Sequence, residues 1–407
     1  MRLRLVALIT AGVLGVLAQG ASASSVRFVD FDCKYGCHRV AQFRAGPGEA
    51  NDVTVRQNSD TSGTYFKFVD TGAPLSAGPG CRRVDDHTTN CYFGPFDMLY
   101  DPSIVLGNRD DRLDASGLEF GGYGVAASGG KGSDTIIGSP ASDAIDGGPG
   151  GDSLDGGGGR DELVFNETAP GLRVDLGSSE PQGSPAAPDR YLNFEDVSAT
   201  RASGAVLIGD DGPNVLRAGP GGEVHGRGGS DLLYPGRGGR AYGGPGSDSL
   251  EADSSEPSKA DRLHPKILDC GAGNDLTEAM SLFDVVRASC ELVSPDGTDD
   301  FVHLHERPGP DGRFATLRYG CPLHTGDCPI TIWARLRSTH GTVVMKRSVT
   351  VPRGFHEHLY PLRLNARGRS LLAAHGRLRV IVYSRFEDGA YVSNDGFTMI
   401  LRSGAAA

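Results

Sequence analysis

The sequence predicts an all-β protein: a parallel β-roll with a β cap on its N-terminal side and an antiparallel β-sandwich of immunoglobulin-like shape on its C-terminal side. Three observations predict it. Glycine and aspartate recur every nine residues over 129–164, the pattern resumes over 209–251, and short alternating apolar stretches separated by Gly, Pro, Asn and Asp lie on either side. A chain of 407 residues has room for two or three domains. The boundaries expected are a leader over 1–24, the cap over 25–105, the repeats over 106–292 and the sandwich over 293–407.

The leader reads as an export signal. Arg2 and Arg4 make a positive start, Leu5 to Leu17 a short apolar run, and Ala21-Ser22-Ala23 a small-residue cleavage site. That run is too short to span a bilayer comfortably, and no later segment approaches the length of a membrane span. With no lipid anchor or C-terminal sorting pattern in view, the mature protein is expected to be secreted. A net charge of −11 argues against nucleic acid as a partner, because phosphate binding needs a basic face.

The eight cysteines all follow the leader and fall into neighbouring pairs: Cys33/Cys37, Cys81/Cys91, Cys270/Cys290 and Cys321/Cys328. An oxidising compartment favours disulfides, and proximity favours these pairings among the 105 that eight cysteines allow. A zinc site is the rival reading, suggested only by Cys33-x-x-x-Cys37 followed by His38.

In the cap, Val53-Thr54-Val55 and Tyr65-Phe66-Lys67-Phe68-Val69 alternate as strands do, and Gly80-Cys81 to Cys91 is expected to be a stapled hairpin. A solenoid needs its apolar ends covered, which gives this segment its purpose.

The repeat block reads GGKGSDTII, GSPASDAID, GGPGGDSLD and GGGGRDELV over 129–164. Asp134, Asp143, Asp152 and Asp161 hold the sixth place, and Ile136, Ile145, Leu154 and Leu163 the eighth. Glycine fills the first, second and fourth places except in the second unit, where Ser139 and Ala141 intrude. Glycines allow a tight turn with converging carbonyls, and the aspartate brings an anionic oxygen to that turn. The residues around the eighth place form a short strand with its aliphatic side chain inward. A lone unit cannot bury that side chain, so units must stack, two to a turn. Asp134 is then expected above Asp152 on one edge and Asp143 above Asp161 on the other. Disorder would not keep aliphatic residues in phase with aspartates.

This pattern resembles the RTX family of hemolysin-type calcium-binding repeats, whose signature is G-G-x-G-x-D-x-U-x. The resemblance implies a right-handed parallel β-roll holding several Ca²⁺ ions between neighbouring turns. It also implies that the carbonyls of Gly130, Gly132, Gly148, Gly150, Gly157 and Gly159 join the carboxylates of Asp134, Asp143, Asp152 and Asp161 as ligands. The departures in the second unit weaken the site expected at Asp143.

Weaker repeats extend the block. Residues 106–114 fit one unit with Asp111 sixth, and 209–251 alternate units of nine and eight residues. In that second stretch Asn214, Asp231 and Asp248 are expected on one edge and Glu223 and Arg240 on the other. One calcium site is expected near Asp231 and Asp248, with the opposite edge largely free of metal. Between the blocks, 165–207 read as a longer rung with an excursion: a strand at Leu172–Leu176, a loop, and a return at Phe194–Val197. A half-match at Cys270–Asp275 ends the repeats.

In the C-terminal region Phe314–Leu317, Ile330–Trp333, Val343–Met345 and Leu378–Tyr383 alternate at period two, which predicts the sandwich. No H-E-x-x-H, G-x-S-x-G or P-loop occurs, so no catalytic residue is assigned. His303/His305 and His356/His358 each place two histidines on one strand face, without a third ligand. The function expected is that of a calcium-stabilised structural or surface module without catalysis. Alternatives are a module that binds cell-surface polysaccharide through the sandwich, or a secreted hydrolase with no recognised motif.

Overall fold

The computed structural model describes residues 23–31, 38–94, 98–118, 122–168, 171–185, 187–251, 266–273, 275–279, 285–286, 290, 292–295, 302–304, 312–321, 328–336, 341–351, 354–388 and 391–403. Residues 1–22 of the expected export signal, Cys33 and Cys37 lie outside this set. So do the side chains of Cys321, Cys328 and the two histidine pairs. The regular secondary structure of the described residues is nearly all strand, and the chain divides into two compact units, Met1–Ala199 and Thr200–Ala407.

In the first unit, short parallel strands alternate between two sheets. One inward column runs through Val53, Leu113, Ile136, Leu154 and Tyr191, each in register with the next. The other runs through Phe43, Ile104, Ala127, Ile145, Leu163 and Val197. All of these are buried. Each large aliphatic side chain hidden this way stabilises the fold by roughly 2 kcal/mol, so the apolar columns supply the main reason for the units to stack.

The N-terminal segment supplies the first rungs. Ser24–Phe31 and His38–Arg44 form an antiparallel pair, and His38–Arg44 then runs parallel to Ser103–Asn108. Asp52–Asp60, antiparallel to Gly63–Asp70, runs parallel to Arg112–Gly117. Ser24 belongs to the first strand, one residue inside the span read as leader. The hairpin expected at 80–91 is present: Cys81–Arg83 pairs with Thr88–Phe93, and Cys81 is disulfide-bonded to Cys91. His38, considered for zinc, stacks on Tyr100 with ring centroids 4.8 Å apart.

The excursion is more ordered than its Ser/Pro/Gly composition suggests. Gln182–Ser184 pairs antiparallel with both Arg173–Asp175 and Ala187–Leu192, and Ala187–Leu192 rejoins the stack beside Ser153–Asp155. The return expected at Phe194–Val197 is the strand Asp196–Ala199, parallel to Glu162–Val164.

The second unit repeats the plan. Leu207, Val224, Ala241 and Leu268 form one inward column, and Leu216, Leu233, Leu250 and Thr277 the other. All are fully buried. The disulfide Cys270–Cys290 ties successive rungs together. Both sheets continue into antiparallel structure: Val285–Val286 runs parallel to Tyr391–Arg402, and Leu292–Pro295 pairs with Val302–Leu304. Tyr391–Arg402, Arg377–Asp388, Cys328–Leu336 and Val343–Val351 form a four-stranded antiparallel sheet, and Val302–Leu304, Arg313–Cys321 and Gly354–Arg363 pair antiparallel in the other.

Among the described residues one helix, Ala366–His375, departs from the all-β expectation. It is capped at both ends: the Asn365 side chain accepts from the Gly368 N–H, and Gly376 adopts φ 70° and donates to the Leu372 carbonyl. Gly368 lets the helix lie against Val344, because a Cβ there would come within 3.0 Å of the Val344 side chain and carbonyl.

Candidate metal centre

The sixth-place aspartates are buried and linked one to the next. On one edge of the first unit, the Asp111 N–H donates to Asp134 Oδ1 at 2.9 Å and the Asp134 N–H to Asp152 Oδ1 at 2.8 Å. The Asp152 N–H donates in turn to Asp189 Oδ1 at 2.8 Å. The other edge places Asp143 against Asp161, with the Asp143 N–H 2.8 Å from Asp161 Oδ1, and ends on Glu195. In the second unit the series runs Asn214, Asp231, Asp248, Asp275 at 2.8, 2.9 and 2.9 Å. Aspartates eighteen residues apart in the first unit and seventeen apart in the second therefore meet, as the repeat lengths predict.

Each link between aspartates uses only Oδ1 of the acceptor. Among the described residues, Oδ2 of Asp111, Asp134, Asp152 and Asp248 is buried without a hydrogen-bond donor. A buried carboxylate oxygen left in this state costs free energy of order 1–3 kcal/mol or more.

The glycines explain how this arises, and they serve two different ends. At the second place Gly130, Gly148 and Gly157 have φ of 99°, 89° and 94°, which L side chains rarely adopt. The Gly130 N–H then points to the Gly147 carbonyl of the next rung at 2.9 Å rather than to a carboxylate. At the first place the need is space: a Cβ on Gly129 would sit 2.3 Å from Asp134 Oδ2, and one on Gly147 2.4 Å from Asp152 Oδ2. Carbonyls also crowd these turns. Gly130 O would meet a Cβ on Gly148 at 2.2 Å, and Gly132 O one on Gly150 at 1.5 Å.

The second unit of the block behaves differently. Ser139 does not adopt a positive φ, and its N–H donates to Asp143 Oδ2 at 2.6 Å while its hydroxyl donates to Oδ1 at 2.9 Å. The Val125 N–H adds a third bond at 2.6 Å. Asp143 thus has its carboxylate occupied by its own turn. Beyond it, Arg160 holds Asp196 through two nitrogens at 2.7 and 2.9 Å, which places a positive charge on this edge.

The eight-residue units of the second block lack a turn carboxylate altogether. Glu223 and Arg240 occupy the first positions of the strands Glu223–His225 and Arg240–Gly246 and are in register with each other. Their side chains meet on the sheet surface at 3.7 Å. The missing residue is the one that would have carried the carboxylate, and Gly222 and Gly239 close these turns by donating their N–H groups to the carbonyls of Gly219 and Gly236 at 3.0 and 2.8 Å. On the other edge Gly226 and Gly243 leave room for Asp231 and Asp248, as Gly129 and Gly147 do in the first unit. Carbonyls of Arg227 and Gly229 line the approach to Gly244 and Gly246.

Burial raises these carboxyl groups well above the usual aspartate value. Asp134 rises to about 6 and Asp152 to about 7, chiefly by desolvation, with the charges of stacked neighbours adding to it. Asp111 and Asp143 also rise to about 6, and Asp248 rises, each chiefly by desolvation. Such a column of acids is uncomfortable when ionised without a counter-charge. Its donors are carboxylate and carbonyl oxygens, the set that hard divalent cations take. No group of three or more His, Cys, Asp or Glu side chains is close enough to hold a metal among the described residues, so a bound cation would draw most of its ligands from backbone carbonyls.

Asp189 and Asp275 extend the columns without having been assigned a site role. Asp275 had a sequence signal in the Gly-x-Gly before it; Asp189 had none, because the excursion separates it by 37 residues from Asp152. No helix among the described residues is long and apolar enough to cross a membrane. No family model matches the chain, and no curated protein matches it.

Proposed function

We propose that this is an exported, calcium-stabilised repeat protein of the RTX type, with a right-handed β-roll leading into an immunoglobulin-like sandwich. It serves outside the cytoplasm as a non-catalytic structural or surface-associated module. The observation that carries this reading is the set of buried Oδ2 atoms on Asp134, Asp152 and Asp248 that lack a donor. Calcium supplies there the positive charge that permits both carboxylates of a stacked pair to ionise. Asp134 and Asp152 would hold it with the carbonyls of Gly130, Gly132, Gly148 and Gly150. Asp231 and Asp248 would do so with those of Arg227 and Gly229. Asp143 contributes least, since Ser139 already occupies its carboxylate.

Calcium that binds the folded state alone stabilises it by RT ln(1 + [L]/Kd). Extracellular calcium modules have dissociation constants of about 10⁻⁴–10⁻³ M, so the ion acts outside the cell and not at cytoplasmic levels. The test is a calcium titration of the mature protein followed by far-UV circular dichroism and calorimetry. The expected result is a gain of β signal with several ions bound, abolished by Asp134→Ala together with Asp152→Ala. A protein equally folded with calcium and with chelator overturns the reading.

A further inference from the structure

Ser24 is fully buried and every polar atom it has is engaged. Its N–H and its hydroxyl both donate to Glu49 Oε2, at 3.1 and 2.7 Å. The hydroxyl also accepts from the Asn51 amide at 2.9 Å and the Gly46 N–H at 3.3 Å, and the Ser24 carbonyl accepts from the Ser76 hydroxyl at 3.1 Å. Glu49 Oε2 takes a further bond from the Gly46 N–H at 3.0 Å. Ser24 is also paired in parallel register with Leu75. A cut that removed Ser24 would therefore strip donors and acceptors from a buried cluster, which costs more than removing a surface residue. Ala21-Ser22-Ala23 puts a small-residue cleavage sequence directly before it.

We infer that the chain is cut between Ala23 and Ser24, and that the α-ammonium group so freed is received by the carboxylate of Glu49. This rests on reading the residues before Ser24 as an export signal. The step is hydrolysis by a leader endopeptidase. Water breaks the Ala23–Ser24 amide bond: its oxygen joins the Ala23 carbonyl carbon, and both its protons end on the Ser24 nitrogen, leaving an Ala23 carboxylate and a Ser24 ammonium. An amide N–H already directed at Glu49 is thereby replaced by a charged donor, and charge-assisted hydrogen bonds are about twice as strong as neutral ones. Processing and folding are coupled: the mature end is bound more tightly than the uncut chain at the same position.

Two measurements test this. The full-length chain is expressed in a bacterial host with a general secretory pathway, and the exported protein is analysed by intact mass and N-terminal sequencing. Ser24 is expected first; a different first residue overturns the assigned cut, whereas uncut protein retained in the cytoplasm overturns the export reading as well. Separately, chains beginning at Ser24 and at Ala23 are prepared by precise proteolytic release from a fusion and melted in calcium buffer. The extra residue is expected to lower Tm by roughly 2–4 °C. Glu49→Gln is expected to erase that difference while keeping a hydrogen-bond acceptor in place. Equal melting of the two chains, or a difference that survives Glu49→Gln, overturns the ion pair.

Discussion

Asp134 and Asp152 show how one residue type is put to two uses in a single turn. Oδ1 holds the preceding rung by accepting its backbone N–H, and Oδ2 is left facing the first-place glycine. Their carboxyl groups sit at about 6 and about 7, above the ordinary value of 3.8. The folded chain therefore holds more protons than the unfolded chain between about pH 4 and 7, and stability falls as pH rises through that window. In chelator, urea unfolding at pH 5 is expected to give a more stable protein than at pH 8. Calcium is expected to reverse that order, because it binds the ionised form. Stability in chelator that is unchanged or higher at pH 8 would contradict the assignment.

At the scale of the turn, glycine is selected by space as much as by backbone conformation. Gly147 has no positive φ, yet a Cβ there would lie 2.4 Å from Asp152 Oδ2. Gly158, in the same type of turn, has nothing nearer than 3.7 Å. Gly147→Ala is expected to cost about 1–3 kcal/mol, whereas Gly158→Ala should be neutral or slightly stabilising through its unfolded state. Chemical denaturation of the two variants in calcium checks this, and equal losses would show that turn glycines serve conformation alone. The same comparison separates the repeats from each other. Ser139 keeps its N–H on Asp143 because it does not take the second-place φ that turns Gly130 away from Asp134.

At the scale of the whole molecule, columns of buried aliphatic side chains run through the parallel strands of each unit, and the described residues hold the disulfides Cys81–Cys91 and Cys270–Cys290. Cys270–Cys290 closes a loop with a separation of 20 residues in the second unit, where the parallel sheets give way to antiparallel ones. By loop-closure entropy its removal is expected to cost about 3 kcal/mol. Cys270→Ser with Cys290→Ser, measured by urea unfolding in calcium, checks the figure. No loss would mean that the rungs here close without the link.

Much of this was legible in the residues themselves. Period and phase placed Ile136 over Leu154 and Asp134 over Asp152, and they foretold the seventeen-residue rung of the second block, because a stack of identical turns turns sequence spacing directly into contact. Spacing also paired Cys81 with Cys91 and Cys270 with Cys290. Three matters were decided only by tertiary structure. Asp189 joins its column across 37 residues of excursion, which no local period reports. Glu223 and Arg240, which the count of residues placed in the turn, lie on the sheet, because a unit one residue short drops the turn position and keeps the strand. Which carboxylates keep an oxygen without a donor depends on the direction of a single second-place peptide, and composition does not reveal that direction. Sequence sets the circumference of each turn, and so which residues stack, through repeat length, while strand hydrogen bonding fixes the spacing between rungs; the orientation of each turn's polar groups is set by what the neighbouring rung presents to it.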